Sequence, residues 1–266
     1  MKIKKVSGLK NIDIDKLLNL KSEKTQKKLK LEKQKKVPSG VPNLDKLIEG
    51  GFEKNSANVI VGGAGSGKTI LATQFLVEGI KRGEKCLYVT FEEKKEQFYK
   101  NMLEFGWNLE EYENKKKLIF LEYTPAKVKT MLEEGGGTIE STIVKQGITR
   151  IVIDSITSFI LLFEKELEKR EAAIMLFNMI SNWNCTSLLT LEEDPLNEKE
   201  LNAKPIEFES DSIILLYYVQ DKGERKRYLE IMKMRGVKHS KRIHMFEICP
   251  HGIKVSTKRI NKIFGK

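Results

Sequence analysis

Between residues 57 and 256 the chain alternates short apolar runs with longer stretches in which apolar residues recur every three or four positions. The runs ANVIVGG, CLYVTFE, KLIFLEY, RIVIDSI, CTSLLTL and SIILLYY are each seven residues long and rich in β-branched or aromatic side chains. Runs of that kind predict strands covered on both faces. Between them, GKTILATQFLVEGIKRG reads as a helix, as does KKEQFYKNMLEFGW with Phe98, Met102 and Phe105 on one side. A further helix is expected near 137–147, and another over 165–183 with Ala172, Met175, Met179 and Trp183 as its core-facing stripe. YLEIMKM and IHMFEI read as more exposed strands. Strand–helix alternation with near-continuous apolar strands predicts an α/β fold: a mainly parallel central sheet flanked by helices, with antiparallel strands near the C-terminus.

The first 37 residues follow a different pattern. Residues 13–36 read as a helix capped by Asp13, with Leu17, Leu18 and Leu20 as a weak apolar face before a lysine-rich stretch. Pro38 and Gly40 then interrupt the chain. The expected organisation is a basic helical extension at 1–37, one domain at 38–256 and a basic tail at 257–266.

Charge sharpens that division. Residues 1–37 carry 13 lysines against 4 acids, and 238–266 carry 8 basic residues against 1 acid. The middle of the chain is mildly acidic, although the whole carries +11. The basic ends are therefore the candidate surface for nucleic acid or another polyanion. No run approaches the length of about 18 apolar residues needed for a membrane span. The N-terminus lacks the apolar stretch of a signal peptide, so the expected location is the cytoplasm. Cys86, Cys185 and Cys249 are far apart and read as reduced thiols. The spacing of His239, His244, Cys249 and His251 fits no zinc-finger pattern.

The strongest chemical signal is VGGAGSGKT, which follows the first strand and opens a helix. Gly62 to Thr69 fill every fixed position of G-x-x-x-x-G-K-T. Glycines let the backbone of Gly62, Gly63, Ala64, Gly65, Ser66 and Gly67 curl so that successive N–H groups face an anion. The helix starting at Gly67 and running into Ile70 adds its positive end. Lys68 reaches the β- and γ-phosphates, and Thr69 offers a hydroxyl to Mg²⁺. Asp154 closes the apolar strand RIVID and is expected to hold a Mg²⁺-bound water. Glu92 and Glu93 follow another strand, where one of them could orient the attacking water. ATP and Mg²⁺ are thus the expected ligands.

Together these residues resemble the KaiC-like branch of the RecA superfamily of P-loop ATPases, over about residues 38–256. The motifs are VPSGVPNLDKLIEGG, GGAGSGKT, VTFEE, FGW at 105–107, RIVIDSITS, LLTLEE, and KMRGVKH at 233–239 before a Gly-Ile strand. The resemblance implies that Glu92 and Glu93 are the paired catalytic glutamates. It implies that KMRGVKH reaches across a subunit boundary, so that Lys233, Arg235 and His239 approach ATP held by a neighbouring copy. Arg235 would then act in trans as an arginine finger. The implied assembly is a homo-oligomer, a ring in preference to a filament. The circadian clock protein of this family carries two such domains, whereas one fits here.

Three functions follow. The first is Mg²⁺-dependent ATP hydrolysis at sites completed between subunits. The second is a RecA- or RadA-like protein whose ATP controls binding of single-stranded DNA. The loops that would carry DNA in that reading are neutral (157–170) or acidic (192–207), so DNA would have to use the basic termini. The third is a slow ATP-binding switch acting on a protein partner.

Overall fold

The computed structural model describes residues 36–124, 127, 130, 137–196, 204–221 and 223–258. The helix expected at 13–36 lies almost wholly outside the described residues, as does most of the basic tail.

After a short helix α1 (Leu44–Leu47), the chain enters β1 (Ala57–Gly62) and α2 (Lys68–Lys81). Next come β2 (Cys86–Thr90), α3 (Lys95–Leu103), α4 (Leu109–Asn114), β3 (Leu118–Glu122) and α5 (Gly137–Gln146). Then follow β4 (Arg150–Asp154), α6 (Ile156–Ile160), α7 (Glu166–Asn182), β5 (Thr186–Glu192) and α8 (Lys204–Glu209). The chain finishes with β6 (Ser212–Asp221), β7 (Glu224–Met234), β8 (His244–Cys249) and β9 (Gly252–Val255). The strands form one sheet in the order β3-β2-β4-β5-β1-β6-β7-β8-β9. The six strands from β3 to β6 pair in parallel, and β6 to β9 pair antiparallel. The sheet and its mixed character agree with the fold expected from the periodicity.

Side chains alternate across β1, so its two faces feed two cores. Ile60 joins Leu71, Phe75 and Phe98 on the α2–α3 face. Val59 and Val61 join Ile151, Phe159, Leu176 and Ile180 on the α5–α7 face. Among the described residues, no helix is long and apolar enough to cross a membrane.

Two local expectations are corrected. Helix α3 stops at Leu103, so Phe105 is not part of its face. Gly106 takes a positive φ of 75° there, and Phe105 stacks on Trp107 at 5.3 Å instead. On α7, Met175 is 49% exposed; the buried face is Ala172, Ala173, Leu176, Phe177 and Ile180.

Arg150, at the start of β4, is wholly buried. Its guanidinium donates to both oxygens of Glu84 at 2.7 and 3.0 Å, and to the carbonyls of Pro38 and Phe75 at 2.8 and 2.9 Å. It also stacks on the Phe75 ring at 4.7 Å. Partial burial alone would raise the Glu84 carboxyl, but the Arg150 hydrogen bond and charge, helped by Thr149, hold it below the usual range.

Candidate nucleotide site

Parallel pairing brings the ends of four strands to one sheet edge. Gly62 of β1 pairs with Glu192 of β5, and Thr90 of β2 pairs with Asp154 of β4. The loop after β1 therefore opens beside the carboxylates that end β4 and β5 and those that follow β2. Ligands bind at this edge in open α/β sheets.

Two glycines of the loop are required by its path. Gly67 caps α2 with φ 104°, a conformation that side chains strain to adopt. A Cβ on Gly62 would lie 2.5 Å from the Ser66 hydroxyl and 2.8 Å from the Leu216 carbonyl. Lys68 begins α2, and its ammonium donates to the Gly63 carbonyl at 3.0 Å, curled over the loop. It also lies 3.8 Å from the Glu192 carboxylate. Burial pulls the Lys68 ammonium below its usual range, while Glu192, Asp154 and Glu92 pull it back.

Asp154 is held by two strands that flank its own. The Tyr88 hydroxyl donates to one carboxylate oxygen at 2.6 Å, and the Thr190 hydroxyl donates to the other. Burial, reinforced by Asp154, pushes the Tyr88 hydroxyl well above its usual range, so it remains a donor.

Strand β2 ends at Thr90, so Glu92 and Glu93 stand in the turn beyond it rather than on it. The Thr90 hydroxyl accepts both of their backbone N–H groups, at 3.2 and 3.1 Å. The Glu92 carboxylate accepts the Ser155 and Ser158 hydroxyls at 2.7 and 2.6 Å. Partial burial, followed by repulsion from Asp154 and Glu92, raises the Glu93 carboxyl.

Lys233 and Arg235 are not near this loop in the same chain. Met234 pairs with Ser212, which neighbours Asn58 at the start of β1, so these two residues sit at the opposite edge of the sheet, and His239 lies in the connection from β7 to β8. The length of β1 separates the two, about 16 Å at the usual strand rise. There the Lys233 ammonium donates to the Ser210 carbonyl at 2.6 Å. The Arg235 guanidinium donates to the Phe208 carbonyl and lies 3.7 Å from Asp211. His239 Nδ1 is 3.1 Å from the Ser240 carbonyl oxygen.

The candidate residues therefore divide into two groups. Gly62 to Ile70, Asp154, Glu92 and Glu93 converge on one edge, Lys233 and Arg235 stand on the other, and His239 lies in the connection between β7 and β8. Sequence reasoning missed Tyr88, Thr190 and Glu192. It also missed Arg227, which donates to the Gly65 carbonyl at 3.1 Å and stacks 4.1 Å from the Tyr218 ring. Thr190 and Glu192 left a trace, as part of LLTLEE; Tyr88 and Arg227 are ordinary strand residues until pairing is known.

The donor set suits the expected ligands. Thr69 and Asp154 are hard oxygen donors of the kind Mg²⁺ takes. The glycine loop, the start of α2 and Lys68 present an anion-binding face.

A family model for the KaiC ATPase matches residues 37–260. A UPF0273 protein of Methanopyrus kandleri is 33% identical over 238 residues, covering 85% of this chain and 93% of that protein. The circadian clock protein KaiC3 of Synechocystis is 32% identical over 213 residues, covering 77% of this chain. This chain matches only 42% of KaiC3's length. The crystal structure of a KaiC-like protein from Pyrococcus horikoshii OT3 superposes with a TM-score of 0.74 at 34% identity, covering 84% of this chain and 99% of that one. With its phosphate loop, its parallel core and a family match over most of its length, the chain belongs to the KaiC ATPase family, as an ATP-binding, KaiC-like member of the RecA superfamily with one such domain in its 266 residues.

Proposed function

We propose that this protein hydrolyses ATP slowly, at sites that two copies of the chain complete together. The observation that carries this reading is the position of KMRGVKH at the far edge of the sheet from its own phosphate loop. Lys233 and Arg235 there stand a strand length from the phosphates bound by their own chain, but a neighbouring copy stacked edge to edge would receive them.

In this reading the loop N–H groups and Lys68 bind the phosphates. Lys68 leaves the Gly63 carbonyl and Glu192 when a phosphate oxygen replaces them. Thr69 and Asp154 would hold Mg²⁺, which when bound would neutralise charge on the phosphates. Tyr88 and Thr190 keep Asp154 aimed. Glu93 orients the attacking water and takes its proton, since a raised carboxyl is the better base. Glu92, tied to Ser155 and Ser158, keeps the turn in place. Arg235 of the neighbour spreads the charge that develops on the transferred group.

The test is subunit mixing. Lys68→Ala should weaken ATP binding about 10- to 100-fold, the loss of a charged hydrogen bond. Arg235→Ala should keep binding and lower phosphate release by about 10³-fold. Mixing the two inactive proteins should restore part of the activity, because some interfaces then pair an intact loop with an intact arginine. Mixtures as inactive as the parents would overturn the shared site.

A further inference from the structure

Asp211 lies at the edge that carries Arg235 and there touches the start of β1, the strand whose other end carries the phosphate loop. Its backbone N–H donates to the Ala57 carbonyl at 2.8 Å, and its carboxylate oxygen Oδ2 accepts the Ala57 N–H at 2.9 Å. Ala57 is the first residue of β1, the strand that carries the phosphate loop at its other end. On its other side Asp211 accepts the Arg235 N–H through its carbonyl, at 2.8 Å, and presents its second carboxylate oxygen to the Arg235 guanidinium at 3.7 Å.

The surroundings leave Arg235 few other anchors. Its guanidinium is about half exposed and otherwise meets the Phe208 carbonyl at the end of α8. A long side chain in water samples many rotamers, and ordering it at the moment of reaction costs rate. A carboxylate fixed by a backbone N–H can hold it in one. The Ala57 N–H fixes Oδ2, which turns Oδ1 toward the guanidinium.

We infer that Asp211 is the positioning residue for Arg235, holding the guanidinium aimed out of the sheet edge by a carboxylate that is itself pinned to the start of the phosphate-loop strand. This rests on the trans role proposed for Arg235. It adds a specific consequence: the residue that aims the cation at the neighbour's ATP is bonded to the strand that holds its own.

A double-mutant cycle tests the inference apart from its premise. Asp211→Asn keeps an oxygen for the Ala57 N–H but removes the charge. It should lower kcat about 10-fold or more with KM for ATP nearly unchanged, the signature of misplacement rather than lost substrate binding. Asp211→Asn combined with Arg235→Ala should turn over no more slowly than Arg235→Ala alone, because Asp211 acts only through Arg235. Losses that multiply would overturn the inference, since Asp211 would then act by another route. Normal kcat in Asp211→Asn beside a dead Arg235→Ala would overturn it too, while leaving the shared site intact. Normal turnover in Arg235→Ala would sink the shared site itself. Asp211→Glu, which keeps the charge one methylene further out, should recover part of kcat; it also serves if Asp211→Asn does not fold. A kcat for Asp211→Glu at or below that of Arg235→Ala, in a folded protein that binds ATP, would likewise overturn the role.

Discussion

Glu92 and Glu93 are neighbours in the chain, yet their carboxyls meet different surroundings. Glu92 accepts two serine hydroxyls, whereas Glu93 is raised by partial burial and by the charges of Asp154 and Glu92. The direction of that shift sets a pH dependence. A raised carboxyl is more often protonated in mild acid and becomes a competent base as pH climbs through its pKa. Phosphate release should therefore increase with pH in the acid range, and Glu93→Gln should flatten that limb and lower the rate about 10²-fold. Glu92→Gln should cost less. A pH–rate profile of both variants checks this, and the opposite order would exchange the two roles. At this scale the phosphate loop was legible because all its members are contiguous. The partners of Asp154 were not: Tyr88 and Thr190 are 66 and 36 residues away, and only strand pairing brings them together.

At the scale of elements, the most exacting packing is where β4 meets α2 and the start of the domain. Arg150 satisfies Glu84, two backbone carbonyls and the Phe75 ring at once. Removing one partner of such a network strands the others in a poorly solvated place. Arg150→Met should destabilise the protein by about 3 kcal/mol or more, read as a lower denaturant midpoint at unchanged slope. Lysine in its place should recover little, because it cannot serve four acceptors from one planar fork. A midpoint within error of the wild type would contradict this account. The element pattern was read correctly for the strands, whose apolar runs are nearly unbroken. It was read less well on α7, where Ala172 and Trp183 are buried as expected but Met175 is exposed and Leu176, Phe177 and Ile180 take the core-facing positions. Periodicity gives a helix its apolar residues, but the choice among neighbouring faces depends on how closely the helix can approach the sheet.

For the whole molecule, the two edges of the sheet make opposite demands. One carries the glycine loop with Asp154, Glu92, Glu93 and Glu192 around Lys68; the other carries Lys233 and Arg235. Native mass measured with and without ATP and Mg²⁺ should show a discrete closed oligomer favoured by nucleotide. Open polymers would keep the shared site while changing its symmetry, and a monomer under all conditions would leave Arg235 with no ATP to serve. The sequence by itself determined the class of sheet, the phosphate loop and Asp154 as its companion, because these rest on local periodicity and on short contiguous motifs. KMRGVKH was visible there as a cluster of cations, and a family resemblance supplied a destination for it. Only the tertiary structure decided that the cluster stands a full strand length from its own loop, and that Asp211 ties it to the start of that strand. Those facts depend on antiparallel pairing between β6 and β7 and on parallel pairing between β1 and β6, contacts between residues far apart in the chain.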